Sequence, residues 1–305
     1  MIVPMSRRGL LGRIAALGAS VLALPVASTA CAVAIPAPAP GVSGPRRLAY
    51  GSHPSQFGEL TLPAGAVRGV AVVIHGGFWR QSYGLDLGRP LAADLANQGL
   101  AAWNIEYRRV VAGSAGGPRV GTDDGGWTAT FDDVAAAIDL LAGAVQQEAG
   151  GRLPLDRVVA IGHSAGGQLA GWAAARPGLT AGSPGAAPAV RLRGAVAQAG
   201  VMDLADASGQ RVGSGAVEDL MGGSPTAVPD RYALASPIAR VPIGVPVTCV
   251  HGTDDSNVPI RQSQRFTAAS GDKLVTIPGA DHFAMIDTTT DAWRACRDAA
   301  EGILR

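Results

Sequence analysis

The chain has 305 residues, 47% hydrophobic and 16% charged, with a formal net charge of +1. That is apolar mass enough for one large domain or two small ones, and so even a charge balance gives no footprint for nucleic acid or an acidic surface as partner. The three cysteines, Cys31, Cys249 and Cys296, make neither a disulfide framework nor a metal cluster.

Residues 1–31 read as a targeting segment rather than as fold. Ser6-Arg7-Arg8-Gly9-Leu10-Leu11 resembles a twin-arginine export signal, and the apolar stretch from Ile14 to Val26 is too short and too rich in small residues for a secure membrane span. Ala27-Ser28-Thr29-Ala30-Cys31 resembles a lipobox, although Ser28 stands where Leu or Val is usual. Lipid attachment at Cys31 and ordinary cleavage after Ala30, Ala32 or Ala34 both fit; an uncleaved N-terminal anchor is the third reading. Residues 32–45 form a Pro/Ala-rich linker, extended and unable to build a core. The expectation is an exported protein, secreted or held at the cell envelope, whose folded domain spans residues 46–305.

Arg47–Tyr50 and Gly58–Leu62 are expected to be short antiparallel strands. Val67–His75 is a continuous apolar run, as for a strand buried on both faces. A helix is predicted over Leu85–Gln98, closed by Gly99, then a strand over Leu100–Tyr107. Gly113–Gly126 is a glycine-rich loop; its Asp123-Asp124 pair is read as solvated rather than as a calcium site. Ala129–Gln147 carries helical spacing in Val134, Ile138, Leu141 and Val145. Arg157–Gly162 is a strand and Gln168–Ala175 a helix. After a Gly/Pro/Ala loop over Pro177–Pro188 comes a strand, Leu192–Ala199. The stretch from about 202 to 240, interrupted by Pro225, Pro229 and Pro237, is too long for an ordinary connection and reads as a small cap insertion. Pro246–His251 is a strand, Ile260–Ser270 a helix, Lys273–Ile277 a strand and Thr289–Leu304 a closing helix. Strands alternating with helices predict an α/β domain with a mostly parallel sheet covered on both faces. Cys249 lies in an apolar run, where it packs as a small hydrophobe; a bridge to Cys296 is the lesser reading.

The stretch that carries chemistry is Val158-Val159-Ala160-Ile161-Gly162-His163-Ser164-Ala165-Gly166-Gly167. An apolar strand ends in Gly-x-Ser-x-Gly and a helix follows, the context of a nucleophile elbow. Gly162 and Gly166 remove the Cβ atoms that would clash in so sharp a turn. Ser164 stands at the tip, with the Ala165 amide at a helix N-terminus, where a developing oxyanion is favoured. A serine needs a base, and the base needs an acid to orient it. Only His251 and His282 follow Ser164. His251 ends a strand with the acid candidates beyond it, out of order for a Ser–acid–His chain, which leaves His282 as the base. Asp254 and Asp255 are both candidates for the acid, with Asp281 a distant third. Gly76-Gly77 after the Val67–His75 strand lets main-chain amides come close, so Gly77 and Phe78 join Ala165 as oxyanion donors, and His75 reads as a brace for that loop. Trp79, Tyr83, Trp127 and Phe283 lie beside these motifs and are candidates to line a substrate pocket; packing of the loop bases is the equal alternative. Neither a metal site nor a phosphate loop is visible, and no cofactor is expected.

With these residues in place the chain resembles an α/β-hydrolase of the esterase/lipase-like branch. That branch includes arylformamidases (kynurenine formamidases), feruloyl and acetyl-xylan esterase-like enzymes and the catalytic domains of prolyl-oligopeptidase relatives. The resemblance rests on His75-Gly76-Gly77-Phe78-Trp79, Glu106-Tyr107-Arg108, Asp133-Val134-Ala135-Ala136-Ala137, Gly162–Gly167, His251-Gly252-Thr253-Asp254-Asp255 with Val258-Pro259, and Asp281-His282-Phe283. It implies an α/β-hydrolase fold and a Ser164–His282–Asp255 triad, because the family's acid stands three residues before the Val of its Val-Pro pair. It implies hydrolysis of a small-molecule carboxylic ester, or of an aryl formamide, since His-Gly-Gly-x-Trp is the motif arylformamidases carry. The export signal weighs toward an exported carboxylesterase. A third class, an envelope-anchored binding protein on a silent hydrolase fold, is opposed by the complete set of Ser, Asp and His.

Overall fold

A computed structural model describes residues 40–113 and 125–305. The export segment with Cys31, most of the linker and the Asp123-Asp124 pair lie outside the described residues. Eight strands form one sheet: β1 (Arg46–Ala49), β2 (Phe57–Thr61), β3 (Val70–Ile74), β4 (Ala101–Ile105), β5 (Val158–His163), β6 (Gly194–Gln198), β7 (Val247–Gly252) and β8 (Leu274–Ile277). Their spatial order is β1-β2-β4-β3-β5-β6-β7-β8. β1 and β2 pair antiparallel, β2 runs antiparallel to β4, and every later pairing is parallel. Every residue of β3 to β7 is buried, which is why those strands read as mostly apolar runs, interrupted at Asn104, Gln198 and Thr248, rather than as regular alternation.

Helices cover both faces, as the alternating pattern predicts. In chain order the first are α1 (Arg89–Asn97), α2 (Ala129–Asp139), α3 (Ala144–Glu148) and α4 (Ala165–Ala175). They are followed by α5 (Leu204–Gly209), α6 (Ala216–Met221), α7 (Pro229–Ala235), α8 (Arg261–Ser270) and α9 (Asp291–Leu304). α9 buries Ala292, Trp293, Cys296, Ala300 and Leu304, one stripe at helical spacing, and leaves Arg294 and Asp298 outward. Its start is fixed by Thr290, whose Oγ1 accepts from the Trp293 amide at 3.1 Å. Fully burying a side chain the size of Trp293 or Leu304 contributes about 1.5–3 kcal/mol. Cys249 and Cys296 are both free and buried.

Two expectations change in detail. The single helix expected over Ala129–Gln147 is interrupted: α2 passes into a 3₁₀ turn, Leu140–Ala142, and Gly143 breaks the backbone before α3. A glycine that costs helix stability stands where the chain must bend to follow the sheet. The helix expected over Leu85–Gln98 opens as a 3₁₀ turn, Leu85–Gly88, and only then becomes α1. Residues 202–240 hold α5, α6, α7 and a 3₁₀ turn at Pro237–Arg240. They lie against α4, whose eleven residues are all buried. A Cβ added at Gly171 would sit 3.0 Å from Met202 Cε and 3.2 Å from Pro237 Cβ, so the two ends of this insertion close over the outer face of that helix.

Candidate active site

Because β3, β5, β7 and β8 are parallel, their carboxyl ends lie along one edge of the sheet. In open α/β sheets this edge is where ligands bind. Four loops leave it, and each carries one group that the sequence singles out.

β5 delivers Ser164. Its backbone sits at φ 55°, ψ −116°, a conformation an L-residue adopts only when its surroundings enforce it. The enforcement is close packing. A Cβ at Gly162 would lie 2.0 Å from Gly166 O, and one at Gly166 would lie 2.1 Å from Ile74 O. The turn therefore closes only with glycine at both places. Ala165 is the first residue of α4, whose leading N–H groups have no partner within the helix.

The loop after β3 comes against this turn. A Cβ on Gly76 would be 3.0 Å from Ser164 Cβ and 2.8 Å from His163 O. Gly77 has φ 109°, and Phe78 and Trp79 follow at φ 54° and 55°, so three successive residues are left-handed. His75 holds this unusual path: its Nδ1 donates to Gly76 O at 2.7 Å, and its Nε2 meets Glu106 Oε1 at 2.9 Å. The Tyr107 ring stacks on the imidazole at 4.4 Å, and its hydroxyl donates to His75 O at 2.9 Å. Since C=O and N–H of a trans peptide point opposite ways, a Gly76 carbonyl bound to His75 turns the Gly77 N–H away from it. Burial would raise the Glu106 carboxyl, but the hydrogen bond to His75 and the charges around it outweigh that and hold it below the usual carboxylate range.

The loops after β7 and β8 bring Asp255 and His282 together. His282 Nδ1 lies 2.7 Å from Asp255 Oδ2, with both side chains buried. Asp255 Oδ1 accepts from the amides of Asn257 and Val258 at 2.9 and 2.8 Å. Burial alone would raise this carboxyl; hydrogen bonds from His251 and His282 win and hold it well below the ordinary range, so it is ionised. The His282 ring stands 4.5 Å from that of His163, the neighbour of Ser164. His163 Nε2 donates to His282 O at 3.0 Å and so ties the His282 backbone to the elbow. Burial, with the nearby His282 charge, pushes His163 down to about 3, which keeps it neutral. Among the described residues no hydrogen bond joins the Ser164 hydroxyl to His282 or to any other group. Contacts of this kind commonly tighten only when substrate is bound.

The other acid candidates are placed elsewhere. Asp254 is exposed and pairs with the Thr253 hydroxyl; Asp281 accepts the Phe283 and Ala284 amides and so caps the turn after His282. The four aromatics divide. Trp79 is fully buried, with its Nε1 donating to Gln168 Oε1 at 3.1 Å. It packs beneath the loop instead of facing open space, which is the packing alternative of its two readings rather than the pocket wall. Trp127 is half-buried, set edge-on to Phe131 at 5.1 Å, and its amide donates to Leu220 O in α6. Tyr83 and Phe283 are 43% and 54% exposed. Tyr83 lies over Gly77, and Phe283 stands edge-on to His282 at 5.4 Å. The Phe78 ring meets the insertion, where a Cβ on Gly213 would lie 2.3 Å from it.

Sequence reasoning gave no role here to His163, an x of Gly-x-Ser-x-Gly, and set His251 aside as out of order for a base; only their placement reveals the contacts to His282 and Asp255.

A family model described as BD-FAE matches residues 60–269, more than half of the chain, a stretch that includes Ser164 and Asp255 and ends before His282. Among curated proteins none matches in sequence. Solved structures do. A truncated carbohydrate esterase from gut microbiota superposes with a TM-score of 0.69 at 22% identity, over 87% of this chain and 98% of that one. Est2, a thermophilic esterase of the planctomycete Thermogutta terrifontis, gives 0.63 at 23% identity over 87% and 92%, and it is also known with butyrate bound. Esterase B of Lactobacillus rhamnosis, inhibited by a tributyrin phosphonate, gives 0.68 at 20% identity over 88% and 87%. At such identities the likeness establishes the α/β-hydrolase fold.

Proposed function

The chain belongs to the BD-FAE family, and from that premise we propose that it is a serine hydrolase acting on small carboxylic esters. The observation that carries the reading is the buried His282–Asp255 hydrogen bond of 2.7 Å set beside a strained serine elbow. Asp255 keeps the Nδ1–H of His282 in place, which leaves Nε2 as the base for Ser164. Ser164 Oγ attacks the ester carbonyl while His282 takes its proton. The tetrahedral oxyanion is held by the amides of Ala165, Gly77 and Phe78. His282 then returns the proton to the departing alcohol, leaving an acyl-enzyme. Water, deprotonated by the same imidazole, releases the acid. Tyr83, Phe283 and Trp127 are assigned to the substrate side, and Phe78 links the oxyanion loop to the insertion.

The acyl group is proposed to be short, as in the butyrate bound to the Est2 neighbour. Hydrolysis of p-nitrophenyl esters from acetate to decanoate, wild type beside Ser164→Ala, tests both points. Turnover should peak at short chains and fall by about three orders of magnitude or more in the variant. Unchanged turnover in Ser164→Ala would sink the assignment. A formamidase reading is favoured by one feature, His75-Gly76-Gly77-Phe78-Trp79, and a wild type that cleaves aryl formamides faster than aryl esters would select it. We further propose that the protein is exported through residues 1–31. The mass of the mature N-terminus checks this: a lipid-sized increment lost in Cys31→Ala places it on the envelope, a free N-terminus at Cys31, Val33 or Ile35 in the secreted fraction, and an intact Met1 ends the proposal.

A further inference from the structure

Asp255 is held by more than its base. Its Oδ2, which meets His282 at 2.7 Å, lies 3.2 Å from His251 Nε2, and both imidazoles and the carboxylate are buried. The same His251 Nε2 is 2.9 Å from Val258 O, and His251 Nδ1 is 2.8 Å from Ser263 Oγ in α8. Val258 O and an ionised Asp255 can only accept, so Nε2 carries a proton, shared between them. Nδ1 is then free to accept from the Ser263 hydroxyl. A side chain with no role beyond filling this site would need no polar atom; instead both ring nitrogens are satisfied, and one of them points at the acid.

We propose that His251 is a positioning residue for the triad: its Nε2–H fixes the Asp255 carboxylate facing His282 Nδ1, and Ser263, donating to Nδ1, holds the ring in that orientation. The inference rests on the serine-hydrolase reading above. The titratable groups facing the cluster are Asp255, His282, His163 and, across Ser263, Cys249. Burial pushes the Cys249 thiol up to about 12, so it adds no charge. A proton donated to Oδ2 draws charge away from the face that meets His282. Without it that face favours the imidazolium more strongly, while the carboxylate is freer to turn.

The test compares wild type with His251→Leu, which keeps bulk and removes the donor, and His251→Gln, which restores an N–H. In His251→Leu, kcat should fall about tenfold with KM little changed, the size of one lost hydrogen bond to a charged group. The acid limb of its kcat/KM profile should move up by about half a pH unit, and His251→Gln should return most of both effects. A folded His251→Leu whose acid limb overlays that of wild type overturns the proposal, whatever its rate. Should His251→Leu not fold, His251→Met takes its place, with the same shift expected and an unmoved limb again the overturning result. The downfield proton resonance of the His282–Asp255 hydrogen bond gives a readout that needs no turnover: it should move in the variant that lacks the donor and return in His251→Gln. A wild type that neither hydrolyses esters nor labels with a fluorophosphonate at Ser164 removes the hydrolase reading, while that resonance still decides the positioning one.

Discussion

Asp254 and Asp255 are neighbours with opposite fates. The Asp255 side chain turns in and takes His282 Nδ1; Asp254 turns out and meets only the Thr253 hydroxyl. The residues alone left the two open, and resemblance chose between them by the spacing to Val258-Pro259. The structure supplies a physical reason for that spacing. Asp255 Oδ1 accepts the amide of Val258, three residues on, so the carboxylate closes the turn that aims it. Replacing Asp255 by Asn keeps the shape but offers an amide in place of the acceptor His282 needs, so that the wrong tautomer results. The expected loss in kcat is about four orders of magnitude. Asp254→Asn and Asp281→Asn should stay within about twofold of wild type, since neither touches the base. Measuring kcat for the three variants on one ester checks this, and an Asp255→Asn that turns over like wild type would remove it as the acid.

Among the elements, the strands were the most readable. Each of β3 to β7 is buried throughout, so its sequence is predominantly apolar with no regular alternation to misread. The elbow was readable because Gly162 answers a local steric demand, its added Cβ falling 2.0 Å from Gly166 O, although Gly166 answers a distant one, 2.1 Å from Ile74 O in β3. What depends on distant packing was not. Periodicity through Val134, Ile138, Leu141 and Val145 continues across the break at Gly143, because the apolar face must still meet the sheet after the chain has bent. The residues left Trp79 open between a pocket wall and packing; its partner is Gln168, whose Nε2 in turn donates to Ala235 O in the insertion. His251 and His163 stand inside the motifs that mark the site, but their own contacts were not readable there, because those contacts exist only once β5, β7 and the loop after β8 share one edge.

Assembling that edge buries several ionisable groups in ways that act in one direction on the stability of the whole molecule. His163 is pushed down to about 3, whereas an unfolded chain holds its histidines near about 6.5. Between those values the unfolded state binds a proton that the native state refuses, so stability falls as pH falls. The contribution is complete above about pH 6.5 and is lost progressively below it. Asp255 and Glu106 are also held below their ordinary values and add to the loss, but only once pH drops toward about 4, where unfolded carboxylates begin to protonate. The melting temperature should therefore decline in two stages, with His163 responsible for the first. His163→Gln keeps a donor for His282 O but cannot be protonated, so its melting temperature should fall less steeply from about pH 6.5 downward and rejoin the wild-type slope only near about pH 3, where the buried imidazole itself takes a proton. Thermal melts of both proteins across this range decide it: parallel curves through the upper window would mean that the buried imidazole at the elbow is not what makes the fold sensitive to acid.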